Sequence, residues 1–152
     1  MGTISAMTFI PSAIFGQYNG FTGIASAAIK RGQLVCIDDT YHATTNPLYN
    51  RYKPVPASGV AAKKWPVGVA ISDAAAGQEV TIVGSGNVVN MAVDSDSTGI
   101  KVGAPVVCGA YAGTVKAGTV PATGYALTDT MIGVALDSIA VSSYGRIWLN
   151  LR

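Results

Sequence analysis

WPVGVAISD, residues 65–73, returns almost unchanged as MIGVALDS, residues 131–138. In the first copy Val67, Val69 and Ile71 alternate with Gly68 and Ala70; in the second, Ile132, Val134 and Leu136 alternate with Gly133 and Ala135. A period of two with branched residues on one face is the pattern of a β-strand. The opposite face, only Gly and Ala, leaves room for another backbone or sheet to approach closely.

The correspondence extends outward from these strands. VPASG (residues 55–59) matches VPATG (residues 120–124), and Pro56 to Pro121 spans the same 65 positions as Gly68 to Gly133. Further upstream, Ile29, Lys30 and Gly32 of IKRGQLVC recur as Ile100, Lys101 and Gly103 of IKVGAPVVC, now 71 positions apart. The first copy therefore holds six extra residues before its VPASG, in the segment 40–52. Downstream, GQEVTIV (residues 77–83) has a counterpart in GRIWLNL (residues 145–151). Two copies are too few for a solenoid, so the pattern predicts two half-domains sharing one core. The expected fold is all-β: a single β-barrel or sandwich from duplicated half-units, residues 29–93 and 100–152, with residues 1–28 as an extended N-terminal arm. About ten strands are expected.

A length of 152 residues fits one domain with a substantial core. Charged residues make up 12% and mean hydropathy is +0.38, against roughly a quarter charged in an ordinary soluble domain. Such a surface is expected to be covered largely by other subunits; the alternative is a compact monomer with a Ser/Thr/Gly surface. The net charge of +2 comes without any basic stripe, which argues against nucleic acid as a partner. No apolar run is long enough to cross a bilayer. The apolar N-terminus has no Lys or Arg before Lys30, so it lacks the basic region of a secretory signal. Ala6 stands where a myristoylation signal following Gly2 would want Ser or Thr.

Several side chains stand out as contact candidates. The segment before Ile29 carries Phe9, Ile10, Phe15 and Tyr18, and either packs on its own domain or reaches a neighbouring subunit or larger partner. Tyr41, Tyr49 and Tyr52 lie beside His42 in the longer loop, where they form an interaction surface or cap the open end of a barrel. In the last strand Ile147, Leu149 and Leu151 share one face, and Arg146, Trp148, Asn150 and Arg152 the other, making Trp148 an outward contact candidate. Cys36 and Cys108 lie in apolar runs at nearly equivalent places; each reads as a buried small hydrophobe, with a disulfide between the halves as the alternative.

Reactive chemistry is sparse. His42 is the single histidine and is accompanied by no nucleophile signature. The eight carboxylates are spread along the chain without an acid/base dyad spacing. Asp94 and Asp96 give the first two ligands of a calcium loop without its remaining positions. Gly84, Ser85 and Gly86 run into a second strand, so no helix N-terminus is available to hold a phosphate. The expectation is a protein that is not an enzyme and holds no cofactor or metal.

The two GVA strands, each following a proline-glycine turn and an IKxG opening, resemble the small all-β decoration, or cement, proteins of tailed-phage capsids. The residues concerned are Ile29, Lys30, Gly32, Val55, Pro56, Gly68, Val69, Ala70 and Gly77, with Ile100, Lys101, Gly103, Val120, Pro121, Gly133, Val134 and Ala135. The sequence departs from the pattern after the second GVA strand, where Val141, Ser142 and Ser143 replace the Ala76-Gly77 turn. The resemblance implies a virion protein, made in the host cytoplasm, that sits on the outer capsid surface as a homotrimer and bridges major capsid proteins. Alternatives are a head-fibre or tail-associated module, or a carbohydrate-binding β module stacking sugars on Tyr41, Tyr49, Tyr52 and Trp148. A trimeric β-barrel nucleotide hydrolase would share the composition, but its phosphate motif is missing.

Overall fold

The computed structural model describes residues 20–39, 51–56, 65–95, 97–119 and 131–151. Ten strands run through them: β1 (Gly20–Ala25), β2 (Leu34–Ile37), β3 (Arg51–Pro54), β4 (Pro66–Ala70), β5 (Glu79–Val83), β6 (Val88–Ala92), β7 (Pro105–Cys108), β8 (Val115–Ala117), β9 (Met131–Ala135) and β10 (Tyr144–Leu149). The fold is all-β. The first five strands close into a barrel in the order β1-β3-β2-β4-β5, and the second five form a sheet in the order β6-β10-β9-β7-β8.

Both sheets follow one plan, strand for strand. Leu34 pairs with Val69 and Val35 with Gly68; 71 and 65 positions later, Pro105 pairs with Val134 and Val106 with Gly133. Each ladder slips at the same step, between Val35 and Cys36 and between Val106 and Val107. Ala70 faces Ile82 as Ala135 faces Ile147. Cys36 faces Lys53 as Val107 faces Lys116. The parallel contact of Ala25 with Tyr52, which helps close the first barrel, recurs as a bridge between Val93 and Val115. That bridge brings β8 back to β6, so the second sheet curls into the same shape and touches shut at one point.

Two details differ from the sequence-based expectation. The arm assigned to residues 1–28 includes β1, which pairs along its length with β5 as β6 pairs with β10. Each sheet thus begins with a strand, GFTGIA or VVNMA, and these share too little sequence to announce one another. Second, the register sets Val80, not Gly77, at the place of Gly145, since Gly23 faces Val80 where Met91 faces Gly145. The counterpart of Gly77 is Ser142, and both have left-handed backbones, at φ 85 and 53. The glycine that the turn favours is replaced by a serine in a conformation uncommon for residues with a Cβ. Cys36 and Cys108 stand one position out of exact correspondence, and neither is in a disulfide.

The Gly/Ala face does admit a neighbouring backbone. A Cβ on Gly68 would overlap the carbonyl oxygen of Val83, and one on Gly133 the carbonyl oxygen of Trp148. The large-residue face is less simple. The slip makes Val67 an extra residue on β4, so it packs with Ala70 and Ile82, whereas Val69 and Ile71 belong to a different cluster.

The described residues form two apolar clusters. The smaller fills the first barrel and contains Ala25, Ile29, Val35, Tyr52, Ala70, Ala74, Val80 and Ile82. The larger joins the interior of the second sheet, including Met91, Val106, Val115, Ile132 and Ile147, to the outer face of the first barrel through Leu34, Cys36, Val69 and Val83. Backbone hydrogen bonds fix this contact. Leu34 N–H donates to Gly113 O at 2.9 Å, Gly113 N–H to Val55 O at 2.8 Å, and Ala92 N–H to Gly32 O at 3.4 Å. Residues 32–34 of the first barrel thus lie between the end of β6 and the turn joining β7 to β8.

Candidate functional site

Asp94 is buried and its carboxylate accepts a hydrogen bond from Ala110 N–H, while its main-chain carbonyl accepts the Ser97 hydroxyl at 3.0 Å. The carboxylate thus holds the connection after β7, a structural use rather than the start of a calcium loop; Asp96 lies outside the described residues. Among the described residues no three of His, Cys, Asp and Glu come together as a metal site. Burial raises the pKa of the Cys108 thiol, which disfavours the reactive thiolate. Asp137 holds the start of β10: its carboxylate accepts Arg146 N–H at 3.1 Å and two guanidinium hydrogen bonds at 2.9 and 2.7 Å. The guanidinium hydrogen bond lowers the pKa of Asp137 below the usual carboxylate range. In the first barrel Ser72 Oγ accepts Thr81 N–H at the same place.

The contact candidates separate clearly. Phe9, Ile10, Phe15, Tyr18 and Tyr49, with Tyr41 and His42, lie outside the described residues. Tyr52, grouped from sequence with the loop tyrosines as a contact residue, is instead a core residue of β3, 9% exposed. Its ring lies over Gly23, where any side chain would collide with it, and beside Phe21 at a centroid distance of 5.6 Å. The side-chain gap at Gly23 is what draws this ring inward. Trp148 is on the outer face of β10 and 47% exposed.

The register correspondence gives Trp148 its neighbours. Leu34, Cys36, Val69, Ile71 and Val83 on the first barrel occupy the positions of Pro105, Val107, Val134, Leu136 and Trp148 on the second. The first set packs into the core between the sheets. In the second set Pro105, Val107 and Val134 are half-buried and Leu136 is 38% exposed. The outcome is an outward face of five apolar side chains, four of which a reading strand by strand does not single out. The signal that finds them is the pair of offsets, 71 and 65, applied to side chains whose first-barrel counterparts are covered.

This all-β architecture, with an apolar outer face and a surface poor in charge, coincides with what comparison with known proteins finds. A family model described as phage cement protein matches residues 21–150. The chain belongs to the phage cement protein family. The matched span begins inside β1 and ends after β10, so both sheets belong to the cement protein unit. Among solved structures, the head fiber gp8.5 N base of bacteriophage phi29 superposes with a TM-score of 0.57 at 15% identity, over 86% of this chain and 92% of that one. At that identity the likeness is one of fold. No curated protein is similar enough in sequence to match. Family membership makes the cement protein a structural protein of phage capsids, which agrees with the decoration-protein resemblance read from the GVA strands.

Proposed function

We propose that this cement protein decorates the outer surface of a phage head as a homotrimer, after synthesis in the host cytoplasm, and stabilises the shell by bridging neighbouring major capsid proteins. The observation that carries this reading is the family match across both sheets. The physical character of the chain supports it. Bridging requires area and shape, and a chain with only 12% charged residues and an outward apolar face suits affinity summed from many repeated contacts. On this reading the protein is not an enzyme and holds neither cofactor nor metal. We also read the two sheets as the two copies of a duplicated unit, with the boundary at residues 84–87, and assign capsid contact to the apolar segment before β1 (Phe9, Ile10, Phe15 and Tyr18), to Tyr49 and to Trp148.

The test is co-sedimentation with empty capsids. Wild-type protein is expected to pellet with shells, whereas protein lacking residues 2–18, which precede β1, keeps its thermal unfolding transition and stays in the supernatant. Unchanged binding of the truncated protein removes the segment from the contact; failure of the wild type to bind removes the capsid reading itself. A second reading, the base of a head fibre, is favoured by the likeness to the phi29 head fiber base. In that case a separately expressed fibre-forming domain is expected to pellet with shells only when this protein is present.

A further inference from the structure

We propose that the outward face formed by Pro105, Val107, Val134, Leu136 and Trp148 is covered, in protein free of capsids, by residues 1–19 of the same chain, the segment that precedes β1. The inference goes beyond the capsid reading and does not rest on it, since it concerns the molecule before it meets a shell. The segment joins the fold at Gly20, which pairs with Val83 at the end of β5. Five residues after Val83, Val88 opens β6 and pairs with Trp148. The connection between them is fastened to the end of β10: Gly86 N–H donates to Leu149 O at 2.8 Å, and Ser85 Oγ accepts Leu151 N–H at 3.0 Å. Five residues span at most about 18 Å and each pairing adds about 5 Å, so Gly20 lies within about 28 Å of Trp148. Ten extended residues cover about 33 Å, which brings Ile10, ten residues before Gly20, as far as Trp148. The nine residues before Ile10 suffice to cross Val134 to Pro105, two strand spacings or about 10 Å further on.

Composition makes the same match. The chain has ten basic and eight acidic residues, yet the first of them is Lys30, and the segment offers Phe9, Ile10, Ile14 and Phe15 instead. No residue of the face is charged either, so bringing the two together strands no ion away from water and removes the exposed parts of Leu136 and Trp148 from it. The first barrel provides the precedent within the molecule: at the equivalent positions Leu34, Val69 and Val83 are covered by other residues of the same chain. The cover on the second sheet differs in lying on a ladder that is already complete through β7, β9 and β10. A charge placed on this face therefore lifts the segment away and leaves the sheet beneath it intact.

Tryptophan fluorescence of the capsid-free protein tests this directly. With Trp65→Phe, Trp148 is the sole indole. Removing residues 2–18 is expected to shift its emission to the red and to make it quench more readily with acrylamide, while the thermal unfolding transition is kept. Phe9→Asp with Phe15→Asp in the full-length chain is expected to do the same, which keeps the test decisive if the shortened protein fails to fold. The reciprocal variant Trp148→Phe reports on Trp65, 48% exposed at the start of β4, whose emission is expected not to respond. A Trp148 emission indifferent to both changes overturns the proposal, as does an equal response at Trp65. So does a full-length emission that shifts to the red on dilution, which would give the face to a second molecule. If Trp148 responds as expected while full-length protein ignores capsids, the cover stands and the capsid reading falls.

Discussion

The two five-stranded units share their antiparallel ladders, the slip and the bridge between Ile29 and Ala74 or Ile100 and Ile139, yet their outer faces have different fates. On the first, Leu34 and Val69 are fully buried and Val83 is 2% exposed; on the second, the side chain at the place of Val83 is Trp148, 47% exposed. Local pairing is therefore indifferent to what covers the outer face, and residue choice on that face reflects position in the chain. β2 is packed on both faces from Leu34 to Cys36, with Ile37 exposed at its end, whereas β10 alternates exposed and buried residues. The closing strands differ for the same reason: the first barrel is sealed by a parallel strand pair, and the second at a single bridge beside which the first barrel is inserted.

Placing a charge on each face is the strongest test of this contrast. Val69→Asp buries an unpaired carboxylate and is expected to cost more than about 3 kcal/mol, enough to leave most of the protein unfolded or insoluble. Val134→Asp, at the equivalent place, is expected to cost under about 1 kcal/mol in the isolated chain, as read by urea denaturation. Equal losses would show that the second face is packed as firmly as the first.

The turn after the GVA strand gives a smaller difference of opposite sign. Nothing lies within 4 Å of a Cβ on Gly77, so Gly77→Ser is expected to cost about 1 kcal/mol through backbone conformation alone. Ser142→Gly is expected to gain about 0.5–1 kcal/mol, visible as a higher midpoint of thermal unfolding.

The smallest effect concerns Asp137. Its folded pKa lies below the unfolded value of about 3.9. Its contribution is therefore present above that value and is lost as the pH falls through the folded pKa. The pair with Arg146 is partly exposed, so solvent screening limits the effect to at most about 1 kcal/mol. Asp137→Ser, which installs the first barrel's residue, is expected to keep the backbone clamp and to lessen the loss of stability as the pH falls below about 4. An unchanged pH profile would show that the ion pair contributes nothing.

The all-β class and the matching central strands were legible because the close approach at Gly68 and Gly133 demands small residues in fixed places, and those residues survive in both copies. β1 and β6 were not matched, because their outward positions face different surroundings and only main-chain pairing is shared. Tyr52 misled for a related reason: an aromatic ring beside a loop says nothing of direction, and the vacancy that receives it is a glycine 29 positions earlier. Trp148 was legible as outward because β10 alternates strictly. Its apolar neighbours were not, since they come from β7, β9 and the residue after β9, and only tertiary pairing gathers them.

The insertion of residues 32–34 beside β6 has a consequence for synthesis. A ribosome releases the first barrel while the strands that will shield its flank are still being translated, so the nascent chain passes through an interval with a greasy side exposed. Cutting the chain at residues 84–87 would make that interval permanent: one fragment would keep a sticky wall and the other an unplugged mouth. The pair is thus separable on paper at its linker but not in the test tube, and a soluble half-molecule is better sought by first repainting the wall with polar side chains.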